Sequence, residues 1–311
     1  MGENGREPVL NEGTSDKKSG FIALVGIPNA GKSTLINQLV GAKVSIVTHK
    51  VQTTRHCIRG IVQYDNAQLV FVDMPGIFQP KRRLDRAMVR SAWAGAHDAD
   101  IVLFLIDAHI GLQGDNKEII EKLKHISAPK ILVLNKIDSI KKEKLLELTK
   151  EVQALYNFEK VFMVSALTGA GCQDILKYLS KVAPVGPWYY PEDQISDMPL
   201  RQLASEITRE KLYLRLHEEL PYISTVETSH WENHKDGSVK ITQTIFVEQE
   251  SQKKIVIGRN GETIKAIGKK ARQELIEMLE CNVHLFLFVK VRNKWGDDPE
   301  RYHNIGLEFT K

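Results

Sequence analysis

Gly26-Ile-Pro-Asn29-Ala30-Gly31-Lys32-Ser33-Thr34 places two glycines, a lysine and a hydroxyl at the spacing GxxxxGK[ST]. That spacing suits phosphate chemistry. Glycines let backbone N–H groups close around phosphate oxygens, and a helix starting there adds the positive end of its dipole. In such a cradle Lys32 is expected to neutralise the β- and γ-phosphates of a nucleotide and Ser33 to hold Mg2+, with Thr34 opening the helix behind them. Taken alone, the same residues could make an ordinary glycine-rich turn.

Three further motifs narrow the chemistry. Asp73-Met-Pro-Gly76 is expected to bring a carboxylate to Mg2+ through water and the Gly76 N–H to the γ-phosphate. Asn135-Lys136-Ile-Asp138 offers a carboxylate that can accept two hydrogen bonds, from guanine N1–H and its 2-amino group. Adenine has no amino group there and would leave Asp138 desolvated and unpaired, so such a site can discriminate by a factor on the order of 10⁴. Ser165-Ala166-Leu167 would then present the Ala166 amide to guanine O6. An Asp-x-x-Gly by itself is a common turn, and an Asn-Lys-x-Asp by itself can be a helix cap. All four in this order, each after an apolar run, specify a guanine nucleotide with Mg2+, GTP or its product GDP. An ATPase carrying a fortuitous Asn-Lys-x-Asp is the weaker alternative.

The elements that must position these residues are legible as alternation. Short apolar runs at 21–25, 69–72, 101–106, 131–134 and 161–164 are rich in β-branched and aromatic residues and apolar on both faces, which is how buried parallel strands read. Amphipathic stretches at 33–40, 115–125, 142–155 and 172–182 are the helices between them. Alternation of this kind predicts an α/β domain with a parallel sheet over residues 19–182. Residues 183–200 carry Pro184, Pro187, Pro191 and Pro199 without periodicity and read as an ordered linker. Trp188, Tyr189 and Tyr190 within it could stack on bases, but packing of domain against domain is the plainer role.

Beyond the linker the order changes. A helix from Leu203 to Leu220, strands at 224–228 and 239–248, a helix over 263–279 and a strand at 284–291 predict a separate α+β domain over 201–311. It contains Ile257-Gly258-Arg259-Asn260-Gly261, a GxxG loop expected between an apolar strand end and an amphipathic helix. Such a loop lets the backbone of unpaired nucleotides approach closely while their bases lie along an apolar groove. From 253 to 272 the basic residues Lys253, Lys254, Arg259, Lys265, Lys269, Lys270 and Arg272 face one acid, Glu262, although the domain as a whole is nearly neutral. Positive charge therefore sits where phosphate contact is needed.

Charge and composition exclude other classes. The 311 residues carry a net charge of only +4, too little for a wholly basic nucleic-acid-coating protein, and 42% hydrophobic residues suffice for a core in each domain. Three scattered cysteines form no disulfide framework and no CxxC pair for zinc, and they suit a reducing cytosol. No apolar run nears the ~20 residues needed to cross a bilayer. Residues 1–18 are polar and aperiodic, without a signal peptide's apolar stretch, and are expected to be an unstructured leader.

With its four motifs the chain resembles the translation-factor-related small GTPases, and Val51-Gln-Thr-Thr-Arg-His56 is similar to switch I of the Era family. Together with Pro191-Glu-Asp, Ala204-Ser-Glu-Ile-Thr-Arg-Glu-Lys211, Glu219-Leu-Pro-Tyr222 and Gln252-Lys-Lys-Ile-Val-Ile-Gly258, the resemblance spans nearly the whole chain from about Gly20. It implies a P-loop, Ras-like GTPase domain followed by a KH domain of the second type. It also implies binding to the 3′ end of 16S rRNA, a role in assembly of the 30S ribosomal subunit, a monomer in the cytoplasm without an obligate protein partner, and peripheral contact with the inner face of the membrane. The sequence carries no signature for that last contact; the basic run Lys81-Arg-Arg83 reads more simply as a solvated switch region. One of Thr53 and Thr54 is expected to ligate Mg2+, with Thr54 slightly favoured. In related GTPases the asparagine at the position of Asn29 helps coordinate K+, which makes a K+ site a further expectation.

The chain departs from Ras-like GTPases at Ile77, where those proteins carry a water-orienting glutamine. Either Gln79 substitutes, or hydrolysis rests on other electrostatics and is slow without help. A structural RNA chaperone that holds nucleotide as a static ligand is the alternative this leaves open.

Overall fold

The structure, a computed structural model, describes residues 17–55, 57–217, 220–293, 299, 302 and 307–309. The expected leader lies outside them except for Lys17 and Lys18, as do His56 and Glu219.

The first domain interleaves β1 (Lys18–Val25), α1 (Lys32–Val40), β2 (Ile58–Tyr64), β3 (Ala67–Asp73), α2 (Arg83–His97), β4 (Ile101–Asp107), α3 (Asp115–Leu123), β5 (Lys130–Asn135), α4 (Lys142–Leu155), β6 (Lys160–Met163) and α5 (Cys172–Val182). The strands form one sheet in the order β2-β3-β1-β4-β5-β6, with every pairing parallel except that of β2 with β3. Strands β3 and β4 are buried along their whole length. Alternate residues of β1 serve opposite layers: Ile22 and Leu24 pack with Leu35, Phe71 and Leu176, whereas Ala23 and Val25 pack with Phe104, Ile120 and Val152. The carboxyl ends of β1, β3 and β5 therefore come out along one edge, where open α/β sheets bind ligands.

The second domain runs α6 (Leu200–Arg215), β7 (Thr225–Asn233), β8 (Val239–Val247), α7 (Glu250–Ile257), α8 (Glu262–Leu279) and β9 (Val283–Val291). Its sheet is β7-β8-β9, antiparallel then parallel. Ile241 and Leu275 pack with Leu203 and Ile207 of α6, and Ile245 and Val256 pack with Ile267 and Leu212.

Several elements differ from the sequence expectation. Strand β1 begins at Lys18, inside the stretch read as leader, because Lys18 N–H reaches the Asn66 carbonyl and its ammonium the Lys181 carbonyl. Helix α6 ends at Arg215 rather than Leu220, and Leu214 in its last turn is exposed. Strand β7 runs on past 228 to Asn233 through a bulge between Thr228 and His230, which breaks the alternation there. The largest difference is α7. Residues before the GxxG loop form a helix, not a strand end, because Gln252 Oε1 accepts the N–H groups of Glu248 and Gln249 and caps a new helix. The β-branched run 255–257 suggests a strand by residue type, yet only Val256 of it is buried.

The linker packs along the first domain. Gln68 receives the N–H groups of Tyr189 and Tyr190 on its side-chain oxygen, and Tyr189 lies 4.9 Å from the Phe21 ring. These aromatics hold the linker to the edge of the first sheet rather than filling a seam between domains.

Candidate functional site

At the carboxyl edge, backbone conformation comes first. Asn29 (φ 63°) and Gly31 (φ 96°) turn the loop after β1 into a cradle opening onto the first turn of α1. A Cβ at Gly31 would lie 2.1 Å from Asn135 Nδ2, so only glycine leaves room. Lys32 is buried and folds back over the cradle, donating to the carbonyls of Gly26 at 3.0 Å and Ile27 at 3.1 Å. Burial lowers its pKa to about 8, with Asp73 opposing the shift. A phosphate would offer that ammonium a stronger partner than two carbonyls.

Beside Lys32 four oxygen-bearing side chains converge. Ser33 Oγ donates to Asp73 Oδ2 at 2.7 Å and stands 3.0 Å from Thr54 Oγ1, which lies 3.4 Å from the same carboxylate oxygen. Ser45 Oγ adds a fourth bond, at 2.7 Å. Asp73 is fully buried, burial raises its pKa despite those hydroxyls, and its Oδ1 has no hydrogen-bond partner. Three hydroxyls gathered on Asp73 Oδ2, with Oδ1 of the same carboxylate left without a partner, make a hard oxygen donor set that fits a divalent cation such as Mg2+. Thr53, the competing candidate, turns away: its hydroxyl donates to the Lys50 carbonyl and meets Thr48 Oγ1.

The loops at the base end are tied by Asn135. Its Nδ2 donates to the Ala30 carbonyl at 2.9 Å and its Oδ1 accepts the Ala166 N–H at 3.0 Å, so one side chain joins the cradle to the loop 165–167. Lys136 adopts φ 64° and reaches Asp107 Oδ2 at 2.6 Å. Asp138 stands exposed in the following turn, Ser165 is buried, and Leu167 projects outward.

Residues 46–54 close over the cradle and leave a cleft of about 60 Å3. Asn29 Nδ2 donates to the His49 carbonyl at the rim. Gly76 abuts the cradle, where a Cβ would lie 2.7 Å from Pro28 N. Ile77 is buried and donates its N–H to the Gly26 carbonyl, so its side chain belongs to the core. Gln79 lines a separate groove with Trp93 and Lys122 and does not face the cleft. The structure thus brings neither side chain to a hydrolytic water.

Sequence reasoning missed Asp107, Ser45 and Asn37, whose Oδ1 accepts the N–H groups of Val44 and Ser45 and anchors the start of the closing segment. Asp107 had a signal, a lone carboxylate ending a fully apolar strand. Asn37 and Ser45 had none, because each acts only through tertiary contact.

In the second domain, Gly258 (φ 75°) and Gly261 (φ 78°) turn the chain from α7 into α8, and a Cβ at Gly258 would lie 2.3 Å from Thr263 Oγ1. Arg259, Asn260, Lys265, Lys269 and Lys270 are all exposed along this turn and helix, and Ile257 is half-buried behind it. A groove of about 370 Å3 runs beside Thr263, lined by Arg215, Leu216, Leu220, Ile223, Gln252 and Ile255. An apolar trough edged by cationic side chains and an open backbone turn can take unpaired bases and their phosphates.

Comparison with known proteins follows the same division. Residues 21–136 match the family of 50S ribosome-binding GTPases and residues 219–296 match the KH domain family. GTPase Era of Mesorhizobium japonicum is 64% identical over 307 residues, 99% of each chain, and GTPase Era of Brucella suis is 62% identical over 98% of this chain and 99% of that one. Among solved structures, Era in complex with MgGDPNP and nucleotides 1506–1542 of 16S ribosomal RNA superposes with a TM-score of 0.88 at 39% identity, covering 93% of this chain and 99% of that one. A point variant of Aquifex aeolicus Era bound to GDP.AlF4- matches equally well, with the same TM-score, identity and coverage.

Proposed function

The chain belongs to the Era family of GTPases, and we propose on that premise that it binds GTP with Mg2+ at the cradle, hydrolyses it to GDP and phosphate, and reads the 3′ end of 16S rRNA with its KH domain during assembly of the 30S subunit. The observation that carries the nucleotide reading is the Asn135 side chain, which ties the Ala30 carbonyl of the phosphate cradle to the Ala166 N–H of the base-reading loop. One ligand with phosphates at one end and a purine at the other explains why three loops distant in sequence are bolted together.

In the mechanism, the N–H groups of residues 29–34 and the Lys32 ammonium hold the phosphates and take up charge that grows on the β–γ bridge. The Ser33 and Thr54 hydroxyls and, through water, the Asp73 carboxylate would hold Mg2+, which when bound neutralises phosphate oxygens as a Lewis acid. Gly76 offers its N–H to the γ-phosphate. Asp138 accepts from N1–H and the 2-amino group of guanine, Ala166 N–H meets O6, and Lys136 stays aligned by Asp107. With Ile77 in the core and Gln79 turned aside, neither side chain orients the water, and slow intrinsic turnover is the expectation. A K+ held at Asn29 would add positive charge where a glutamine is lacking.

RNA phosphates meet Gly258, Arg259, Asn260 and Gly261, and Lys265, Lys269 and Lys270 add charge along α8, while bases enter the trough beside Thr263. The nucleotide state biases RNA affinity through the closing segment 46–54, with the reciprocal effect that linkage requires. Multiple-turnover phosphate release, with and without the 16S 3′-end RNA, tests this function. Sustained release, with RNA binding tighter in the GDPNP form than in the GDP form, is the expected outcome. A single turnover, or equal RNA affinity in both forms, contradicts it and favours a static nucleotide ligand.

A further inference from the structure

Thr54 is bracketed by the other domain. The carbonyl of Thr53 accepts a bond from Arg209 Nη2 of α6 at 2.5 Å. On the other side, Arg55 enters the second domain and donates to Tyr213 Oη at 2.5 Å, the Ser224 carbonyl at 2.9 Å, the Tyr222 carbonyl at 3.1 Å and the Pro221 carbonyl at 3.3 Å. Between these anchors the Thr54 hydroxyl points back to Ser33 and Asp73.

The anchors are buried and built. Arg209 is 1% exposed and Arg55 4%, and both guanidinium groups lie against the Tyr213 ring, at 5.0 Å and 5.6 Å from its centroid. Glu206, one turn before Arg209, binds its Nε at 2.8 Å and also its Nη2, which fixes the guanidinium and holds its pKa above the ordinary value despite burial. Desolvating two cations at one seam is costly, and a packed apolar seam would be as stable. What the cations supply is direction, because each donates to a backbone or hydroxyl oxygen that must sit in one place. Further along the same segment, Glu210 accepts Val47 N–H at 2.8 Å and pairs with Lys43 at 2.7 Å, and Lys50 reaches the Leu216 carbonyl at 2.6 Å.

We propose that helix α6 of the second domain positions Thr54 for GTP binding and hydrolysis in the same chain, with Arg209 as the positioning residue, Glu206 as its support and Arg55 as the matching anchor from the GTPase side. This inference rests on the nucleotide site proposed above and goes beyond it: the switch threonine, whose hydroxyl meets Ser33 and Asp73, has its backbone held from the other domain. The effect is specific to the triphosphate, because GDP has no γ-phosphate for Thr54 to address.

The test compares affinities for GDPNP and GDP in full-length Arg209→Ala and Arg209→Lys, together with kcat at saturating GTP. Arg209→Ala is expected to lose about tenfold in GDPNP affinity and in kcat, within the range of site-to-site coupling, with GDP affinity unchanged. Arg209→Lys, which can still donate to the Thr53 carbonyl, is expected to recover part of both. A merely structural role would weaken both nucleotides alike. Should Arg209→Ala fail to fold, the double variant Lys43→Gln/Lys50→Gln loosens the same seam from its half-exposed rim, and it is expected to lower the GDPNP-to-GDP affinity ratio about threefold. An unchanged ratio in the variant that folds overturns the proposal. Wild-type protein that binds neither nucleotide would overturn the nucleotide site itself, and this inference with it.

Discussion

Asn29 sits at the rim of the phosphate cradle with φ 63° and donates its amide to the His49 carbonyl, so one residue touches both the cradle and the segment that closes over it. If nucleotide is hydrolysed at the cradle as proposed, that position and a buried Ile77 leave the rate to depend on charge rather than on a water-holding side chain at 77. Turnover is therefore expected to rise in KCl over NaCl, and Asn29→Ala is expected to remove the difference while GDP still binds. Equal rates of wild-type protein in both salts would count against a cation at Asn29. At this scale the sequence was highly informative about residues inside motifs. Lys32, Ser33, Asp73, Asn135 and Asp138 could be named from spacing because phosphate, metal and base impose the spacing. Thr54 could be favoured over Thr53 only slightly, since the two are adjacent and identical in type. The structure parts them by direction, one hydroxyl to Asp73 and the other to Lys50.

At the scale of elements, the buried strands β1, β3, β4 and β5 were legible because they are apolar on both faces. Strand β2 was not, as an antiparallel edge strand interrupted by Arg59 and Gly60. Gly60 is there for a neighbour's sake, since a Cβ would come within 2.9 Å of Ile36 and Val40 on α1. Helix α2 was missed because its buried face is built largely of alanine and methionine beside arginines. Helix α7 was misread because three β-branched residues outweighed a cap that lies outside them. Its correction changes the RNA site from a strand–loop–helix to a helix–turn–helix, which presents Arg259 and Asn260 at an exposed apex. Arg259→Asp/Asn260→Asp is accordingly expected to abolish binding of the 16S 3′-end RNA while intrinsic GTP turnover persists, as measured by filter binding and phosphate release. Retained RNA binding in the double variant would remove the apex from the interface.

For the whole molecule, the division into two domains and a proline-rich linker could be read from the change of periodicity, but the seam between them could not. Arg55 and Arg209 are 154 positions apart and meet over one tyrosine ring, and no local pattern announces such a pairing. In the proposed function the seam would let the two halves act as one device, with a nucleotide at the sheet edge of one domain, nucleic acid at the apex of the other, and Thr54 held between. The described residues include no helix long and apolar enough to cross a membrane. All of this depends on guanine being the base that Asp138 reads. The most direct measurement is calorimetric titration of wild-type and Asp138→Asn protein with GTP, ATP and xanthosine triphosphate in Mg2+. Wild type is expected to take up GTP and not ATP, and Asp138→Asn to favour the xanthine nucleotide, whose 2-oxo group accepts where guanine donates. Uptake of ATP by wild type, or an unaltered base preference in Asp138→Asn, would contradict the account.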